Sequence, residues 1–474
     1  MVLRGGRVVT PTGELFGGVG VDDGVIVAVG PDAWLPAGSE TIDLGGRMLL
    51  PGLIDPHVHL GVGGTADEAK LFADMESETA AAALGGITTF VTDHECAHGP
   101  SMVTTLTDGR TEAPLTRAKR ECGARSPIDF RFTANPSRDE HLDEIPALVS
   151  QGVTSFKMFP SYVGEEALEF GISTVDYAFI YRAFECLAAA EAEDAPTQGM
   201  VHCEEPTICR MLKARYRGEM RGGLRAWTDA RPAICEAMQI FDVGMIARET
   251  GARAYIPHVS SGEGARTIEY LRARGVRIVG ETCPQYLLSD TPWALGAAAK
   301  MNPPLRDHPD VDGLWTAIGR DVVEVVGSDN CRYGWDEKQD GVWDSIPGIS
   351  EIGATLPLLI TEGIATGRLT WTGLSKITSE VGARSFGMYP RKGALVVGAD
   401  ADLVVVDPDE RWTLGKDTPL SGADWSIYEG REVIGRPIVT ICRGRVVAER
   451  GTVLEHGGGT YIDLTASRAD ASAR

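Results

Sequence analysis

Apolar and polar positions change rhythm twice along the chain. Up to residue 50 the apolar residues form short alternating runs broken by glycine: Arg7-Val-Val-Thr10, Gly18-Val-Gly-Val21 and Gly24-Val-Ile-Val-Ala-Val29. Alternation at period two between turn residues predicts half-buried strands joined as hairpins. The same texture returns in Ala394-Leu-Val-Val-Gly398, Ala401-Asp-Leu-Val-Val-Val-Asp407 and Pro437-Ile-Val-Thr-Ile441. Neither end is large enough to bury a core alone, so the two are expected to join in one small β-domain.

Between the ends the pattern becomes strand, loop, helix, repeated. Apolar strand-like runs fall at Ile87–Val91, Ile128–Phe132, Val153–Phe156, Gly199–Val201, Ala252–Ile256, Val276–Val279 and Val322–Val326. Segments 68 to 84, with its alanine run Ala80–Ala83, 176 to 192 and 262 to 274 are predicted helices. With the run Met48–Ile54 this makes about eight strands, and the fold class is α/β, a closed parallel (β/α)8 barrel. The predicted domains are a β-sandwich from residues 1–50 and 391–455, the barrel from 51–390, and a tail from 456–474 whose last ten residues fray.

In such barrels chemistry gathers at the C-terminal ends of the strands. His57 and His59 follow the first run, and in an extended segment residues two apart face the same side. Lys157 follows Val153–Phe156, His202 follows Gly199–Val201, His258 follows Ala254-Tyr-Ile-Pro257, and Asp329 follows Val322–Val326. An HxH pair alone is as readily a core or surface pair, a lone histidine a satisfied core residue, Lys157 half of an ion pair and Asp329 a helix cap. Together at successive strand ends they form one set. Four neutral imidazoles and a carboxylate suit zinc or a similar divalent ion. Two ions in one site need a bridging anion; a desolvated Lys157 favours its neutral amine, which can add carbon dioxide and become a carbamate with two oxygens. His94, His98, His141, His308 and His456 lack this placement, with His94 and His98 nearest to it in the chain.

Composition narrows the partners. The 474 residues are 43% apolar and 24% charged, with 45 basic against 67 acidic side chains and a net charge of −22. That field repels nucleic acid and anionic membranes. No stretch of about 18 apolar residues predicts a transmembrane span, and the N-terminus has no signal-like apolar segment. Nine cysteines without paired CxxC spacing predict free thiols in a reducing, cytoplasmic compartment.

The ordered motifs Asp55-Pro-His-Val-His-Leu60, Ala82-Ala-Leu-Gly-Gly-Ile-Thr-Thr89, Ser155-Phe-Lys-Met-Phe159, Glu281-Thr-Cys-Pro-Gln-Tyr-Leu287, Pro303-Pro-Leu-Arg306, Gly327-Ser-Asp329 and Gly398-Ala-Asp-Ala-Asp-Leu-Val404 closely resemble the cyclic amidohydrolases. These comprise hydantoinase, dihydropyrimidinase, allantoinase and dihydroorotase. The resemblance covers nearly the whole chain. It implies two divalent ions, zinc with manganese as the alternative, held by His57, His59, carboxylated Lys157, His202, His258 and Asp329. It also implies the split β-domain, a small cyclic amide as substrate, and a homotetramer, or a homodimer. Gly61 stands where dihydroorotases usually carry an arginine, and Tyr162 stands five residues after Lys157 as in hydantoinases. Both favour the hydantoinase and dihydropyrimidinase branch. Asp329 is then the proton carrier and Tyr162 a donor to the developing oxyanion.

Three positions depart from the family pattern. The usual Ser-Asp-His reads Ser328-Asp329-Asn330, the serine before Pro303-Pro-Leu-Arg306 is Asn302, and the Ile-Pro-Asn-Gly loop is shortened to Ile346-Pro347-Gly348. Tyr162, Asn302 and Gly348 are the substrate contacts the resemblance implies. The departures leave the metal chemistry intact and reopen the ring: an allantoinase, an imidase or a lactamase acting on a specialised ring is the alternative. A non-catalytic dihydropyrimidinase-like scaffold is a further one, against which all six ligands are retained. Arg306 is a looser catalytic candidate, with a structural salt bridge as its alternative.

Overall fold

The computed structural model describes the chain except residues 63–67, 95–113, 165, 168–173, 193–194, 290–291, 416–417 and 465–474. The two ends build one nine-stranded sheet. Its N-terminal strands are β1 (Val2–Thr10), β2 (Gly13–Asp22), β3 (Val25–Gly30), β4 (Thr41–Asp43) and β5 (Met48–Pro51). The sheet is completed by four strands from the other end of the chain, β15 (Leu403–Thr413), β16 (Glu432–Cys442), β17 (Arg445–Glu449) and β18 (Thr452–Val453), in the order β18-β17-β16-β15-β5-β1-β2-β3 with β4 beside β1. The join is antiparallel, Leu403 to Val406 of β15 against Pro51 to Met48 of β5.

Alternation decides what each face of that sheet covers. Val8, Leu49, Leu403 and Val405 point into the sheet's own core with Leu3, Val19 and Ile26. Their neighbours Val9, Met48, Leu50, Val404 and Val406 point the other way and join the barrel core. A period of two thus makes one strand serve two cores.

The second sheet is parallel and closes on itself. Its strands are β6 (Leu53–Leu60), β7 (Ile87–His94), β8 (Asp129–Ala134), β9 (Ser155–Met158), β10 (Gln198–Val201), β11 (Ala254–Ile256) and β12 (Ile278–Thr282), followed by β13 (Val325–Val326) and β14 (Asn330–Cys331). The last two are one broken strand: Val325 and Val326 pair with Glu281 and Thr282, and Asn330 and Cys331 pair with Val58 and His59. The eighth position therefore bridges the seventh strand and the first, and the break between its halves carries Ser328 and Asp329. Helices return the chain outside the barrel, among them Glu68–Leu84, Tyr177–Ala190 capped by Asp176, and Gly262–Arg272 capped by Ser261.

Two strand expectations are corrected. The run Met48–Ile54 is not one barrel strand; β5 belongs to the end sheet and β6 to the barrel, with Gly52 between them. A Cβ there would stand 2.1 Å from Thr88 Oγ1, so only glycine allows the crossing. The run Ala394–Gly398 is not a strand either. Gly393 and Gly398 take φ of 85° and 93° and turn the chain at both ends, so its apolar Leu395 fills the sheet core from a loop. The segment up to Leu464 that the pattern assigns to a tail is docked: Ile462 N donates to Phe130 O, and Tyr461 packs on Phe130 and Phe132. The fraying expected from Thr465 on lies outside the described residues.

Candidate metal centre

The strand ends bring the six sequence-predicted ligands to one place. His57 and His59 leave β6 on the same face, with ring centres 4.9 Å apart and Nε2 atoms 3.1 Å apart. Lys157, in β9, places Nζ 2.8 Å from His57 Nε2. His202 follows β10 and His258 follows β11; His202 Nδ1 and His258 Nε2 are 2.9 Å apart, and the His57 and His258 ring centres 5.4 Å. Asp329 Oδ1 lies 3.4 Å from His57 Nε2 and 3.2 Å from His59 Nε2. His258 and Asp329 hold φ of 42° and 55°, left-handed backbone that costs a non-glycine residue about 1–3 kcal/mol. Asp329 N donates to His57 O and His258 N donates to Glu281 Oε1, contacts that fix both turns.

A carboxylate orients each of three imidazoles from behind. His57 Nδ1 faces Glu281 Oε1 at 3.0 Å, His59 Nδ1 faces Asp93 Oδ2 at 3.3 Å, and His202 Nε2 faces Glu204 Oε2 at 3.1 Å. At His57 and His202 the outer ring nitrogen is hydrogen-bonded to its carboxylate and the other nitrogen turns inward, the arrangement that metal-ligating histidines use, while His59 faces Asp93 at ion-pair distance. Asp55 pins the same region, its Oδ1 accepting from Ser328 N and His57 N. Arg231 Nη1 donates to Glu204 Oε2 at 2.7 Å and so neutralises the carboxylate behind His202.

Electrostatics keep the inner atoms as lone pairs. Burial, with the Lys157 charge added, holds His57 well below the ordinary imidazole value; burial, with His202 added, does the same for His258. Burial also lowers His202, against the opposing pull of Glu204. Burial alone would raise Asp329, but the neighbouring His57 and His59 outweigh it and leave it below the ordinary carboxylate value. Burial pushes Glu281 and Asp55 up to about 7. Neutral imidazole nitrogens facing one another at about 3 Å repel unless a cation lies among them, so this donor set fits divalent ions. His57, His59 and Asp329 offer donor atoms within 4.8 Å of one another.

The cluster opens into a pocket lined by Tyr162, Asn302, Gly348, Phe159, Val62 and Tyr333 as well as the candidate ligands other than His57. All three expected substrate contacts thus face the same space. Asn302 Nδ2 reaches Tyr162 Oη at 3.4 Å, and burial pushes the Tyr162 phenol above its ordinary value, so it stays protonated. Asn330, in place of the expected histidine, is fully engaged: its Nδ2 donates to Glu78 Oε2, and its Oδ1 accepts from Glu351 N and Ile352 N. Arg306 does not line this pocket; it donates to Ser260 Oγ and Arg231 O. His94 closes β7, and His98 lies outside the described residues.

The orienting carboxylates Glu281, Asp93, Glu204 and Asp55 were not singled out from the sequence. Their signal was present: each is an acidic residue within or just after an apolar strand run, two of them two residues from a ligand.

A model of the amidohydrolase family matches residues 48–447, and the chain belongs to that family. Over 469 residues it is 34% identical to an allantoinase of Rubrobacter xylanophilus, covering 98% of this chain and 97% of that protein. It is 32% identical over 478 residues to a D-hydantoinase of Geobacillus stearothermophilus, covering 97% and 96%. The solved L-hydantoinase (dihydropyrimidinase) of Arthrobacter aurescens superposes with a TM-score of 0.86 at 27% identity, over 98% of this chain and 99% of that one. Within the family the chain is a cyclic amidohydrolase of the hydantoinase branch, on a barrel joined to a sheet from its two ends.

Proposed function

We propose that the chain opens the C–N bond of a hydantoin-like or dihydropyrimidine-like ring bearing an uncharged substituent. The observation that carries this is the ring of inward-facing nitrogens, three of its four imidazoles backed by a carboxylate, beneath a pocket wall of Val62, Phe159 and Tyr333. His57, His59, Lys157 as its carbamate, His202, His258 and Asp329 would hold two divalent ions, zinc or manganese. Bound ions of this kind lower the pKa of water from ~15.7 to about 7 and polarise carbonyl oxygens. Tyr162 donates a hydrogen bond from its phenol to the carbonyl oxygen as negative charge develops there. Asp329, kept ionised by its imidazole neighbours, accepts the proton of the attacking water and delivers it to the departing ring nitrogen.

Among the described residues no arginine lines the pocket, which argues against a ring carrying a carboxylate. A second reading, allantoin, is favoured by the allantoinase relative; allantoin is itself a hydantoin with a polar ureido group, so the apolar wall is what separates the two. The test is a panel of hydantoin, 5-substituted hydantoins, dihydrouracil, allantoin, dihydroorotate and cyclic imides with zinc- or manganese-loaded protein. Ring opening of neutral hydantoins or dihydrouracil supports the proposal, allantoin alone supports the second reading, and no hydrolysis of any ring overturns both.

Cytoplasmic residence is supported by the free thiols of the described cysteines, and no described helix is long and apolar enough to cross a membrane. A homo-oligomer, tetramer or dimer, is supported by the exposed Ile234, Met238, Phe241 and Tyr270 on two adjacent barrel helices. Light scattering at working concentration tests it.

A further inference from the structure

Two buried lysines outside the imidazole cluster hold one wall of the same pocket. Lys338 is 1% exposed, and its Nζ donates to the carbonyls of Lys300 at 3.1 Å, Ile346 at 2.7 Å and Gly348 at 2.7 Å. Lys300, 2% exposed, donates to the carbonyl of Ser345 and lies 3.4 Å from that of Trp343, with Nζ 4.2 Å from the centre of the Trp227 ring. The Lys300 carbonyl also accepts from Gly348 N at 2.9 Å. Three donors of one ammonium meet three carbonyl oxygens, which is its full complement.

The hydrogen bonds of Lys338, with that from Lys300 to Ser345, join two segments that line the pocket. One is 300–302, ending in Asn302; the other is 345–348, ending in Gly348. Both reach the pocket, and both are places where the chain departs from the family pattern. Gly348 has little freedom of its own: its φ is 127°, and a Cβ would stand 2.8 Å from Tyr333 Cε2. A shortened loop with its carbonyls turned inward needs buried donors to face them, since unpaired buried carbonyls cost free energy.

We propose that Lys338, together with Lys300, is a positioning residue that fixes the separation of Asn302 from the Pro347–Gly348 backbone and thereby sets which ring the pocket accepts. The inference rests on the cyclic-amide reading. Neither lysine touches the ligands described above, so the clamp acts on the substrate wall and not on the metal centre. Burial, with the charge of Lys300 added, pushes Lys338 down to about 7, opposed by Cys331 and Glu337. The three carbonyls it faces are what hold an amine at so buried a position.

The test is Lys338→Met in the metal-loaded full chain, read in two ways. On the ring the wild type opens, KM should rise about tenfold or more while kcat stays within about threefold and metal content is unchanged. Independently of any substrate, hydrogen exchange at the Gly348 amide should quicken about tenfold or more, with the β6 and β10 amides unaffected. Lys338→Arg should recover most of both. Unchanged KM and unchanged exchange would overturn the clamp, as would equal losses of kcat and metal with KM intact. Should Lys338→Met fail to fold, Lys300→Gln is expected to give the same KM and exchange signature, and its absence there overturns the proposal. Failure of the wild type to open any ring rejects the cyclic-amide reading, and the exchange experiment then still decides whether the clamp exists.

Discussion

Each rim of the barrel buries a lysine, and the two are surrounded by opposite chemistry. At the N-terminal rim, Lys392 Nζ lies 2.5 Å from Asp129 Oδ2, 2.6 Å from Asp402 Oδ2 and 3.1 Å from Asp400 Oδ2, with Arg443 also on Asp129. Burial would lower this lysine, but Asp129 and Asp402 outweigh it and keep it well above the ordinary value, a permanent ammonium. At the C-terminal rim, Lys157 meets an imidazole nitrogen at 2.8 Å and, among the described residues, no carboxylate at ion-pair distance. The first lysine ties the end sheet to β8. The second stands among four imidazoles whose inward nitrogens are left for cations to satisfy. Burial is the same in both places; the identity of the neighbours separates a strut from a reactive site. This matches the division of labour in such barrels, stability at one rim and chemistry at the other.

Exchanging the two lysines' fates is the strongest way to break that comparison. Lys157→Ala should lose one or both ions and lower kcat/KM by about 10³-fold or more, with partial recovery on adding a short carboxylic acid; metal analysis and initial rates measure it. Full metal occupancy in that variant without additive would refute the carbamate bridge. Lys392→Met should leave activity per folded molecule intact and cost about 3–5 kcal/mol of stability, because it strands buried carboxylates; denaturant unfolding reads this directly. Loss of kcat in proportion to nothing but folded fraction would confirm the strut, and a specific kcat defect would undo the contrast.

Smaller effects sharpen it. Tyr162→Phe should lower kcat about 10²-fold at unchanged metal content; an unchanged kcat would reduce Tyr162 to packing. Glu351, behind Asn330, is a third kind of buried group: burial pushes its carboxyl up to about 8. Below about pH 4.5 both folded and unfolded states hold this proton, and between there and about 8 only the folded state does, so its contribution to stability falls as pH rises across that window. Thermal unfolding of Glu351→Gln at pH 5 and pH 8 should therefore show a smaller loss than the wild type, and an identical loss would show that the group does not titrate as described.

The contrast also explains what was legible beforehand. Most of the barrel strands and the convergence of the six candidate ligands were readable because each signal is local: an apolar run, then a polar residue at its end. The N-terminal hub was not, since Lys392 and Asp129 are 263 positions apart and neither stands at a strand's C-terminal end. The same reason hid the partner of His57: Glu281, 224 positions away, reads as part of a motif until the fold places it behind the ring. Backbone conformation was equally silent. Nothing in the residue types of His258 or Asp329 announces left-handed φ, and nothing in Met48–Ile54 except one glycine marks where the chain leaves one sheet for another. Asn330 shows the limit from the other side: a departure from the family pattern proves to be a satisfied amide bridging Glu78 to the backbone at Glu351 and Ile352.

All of this depends on six distant side chains gripping a pair of cations at one rim. Metal content of the folded wild-type chain, measured by mass spectrometry after growth with added zinc, tests that most directly. The account predicts about two divalent ions per chain. A folded chain that retains none would contradict it.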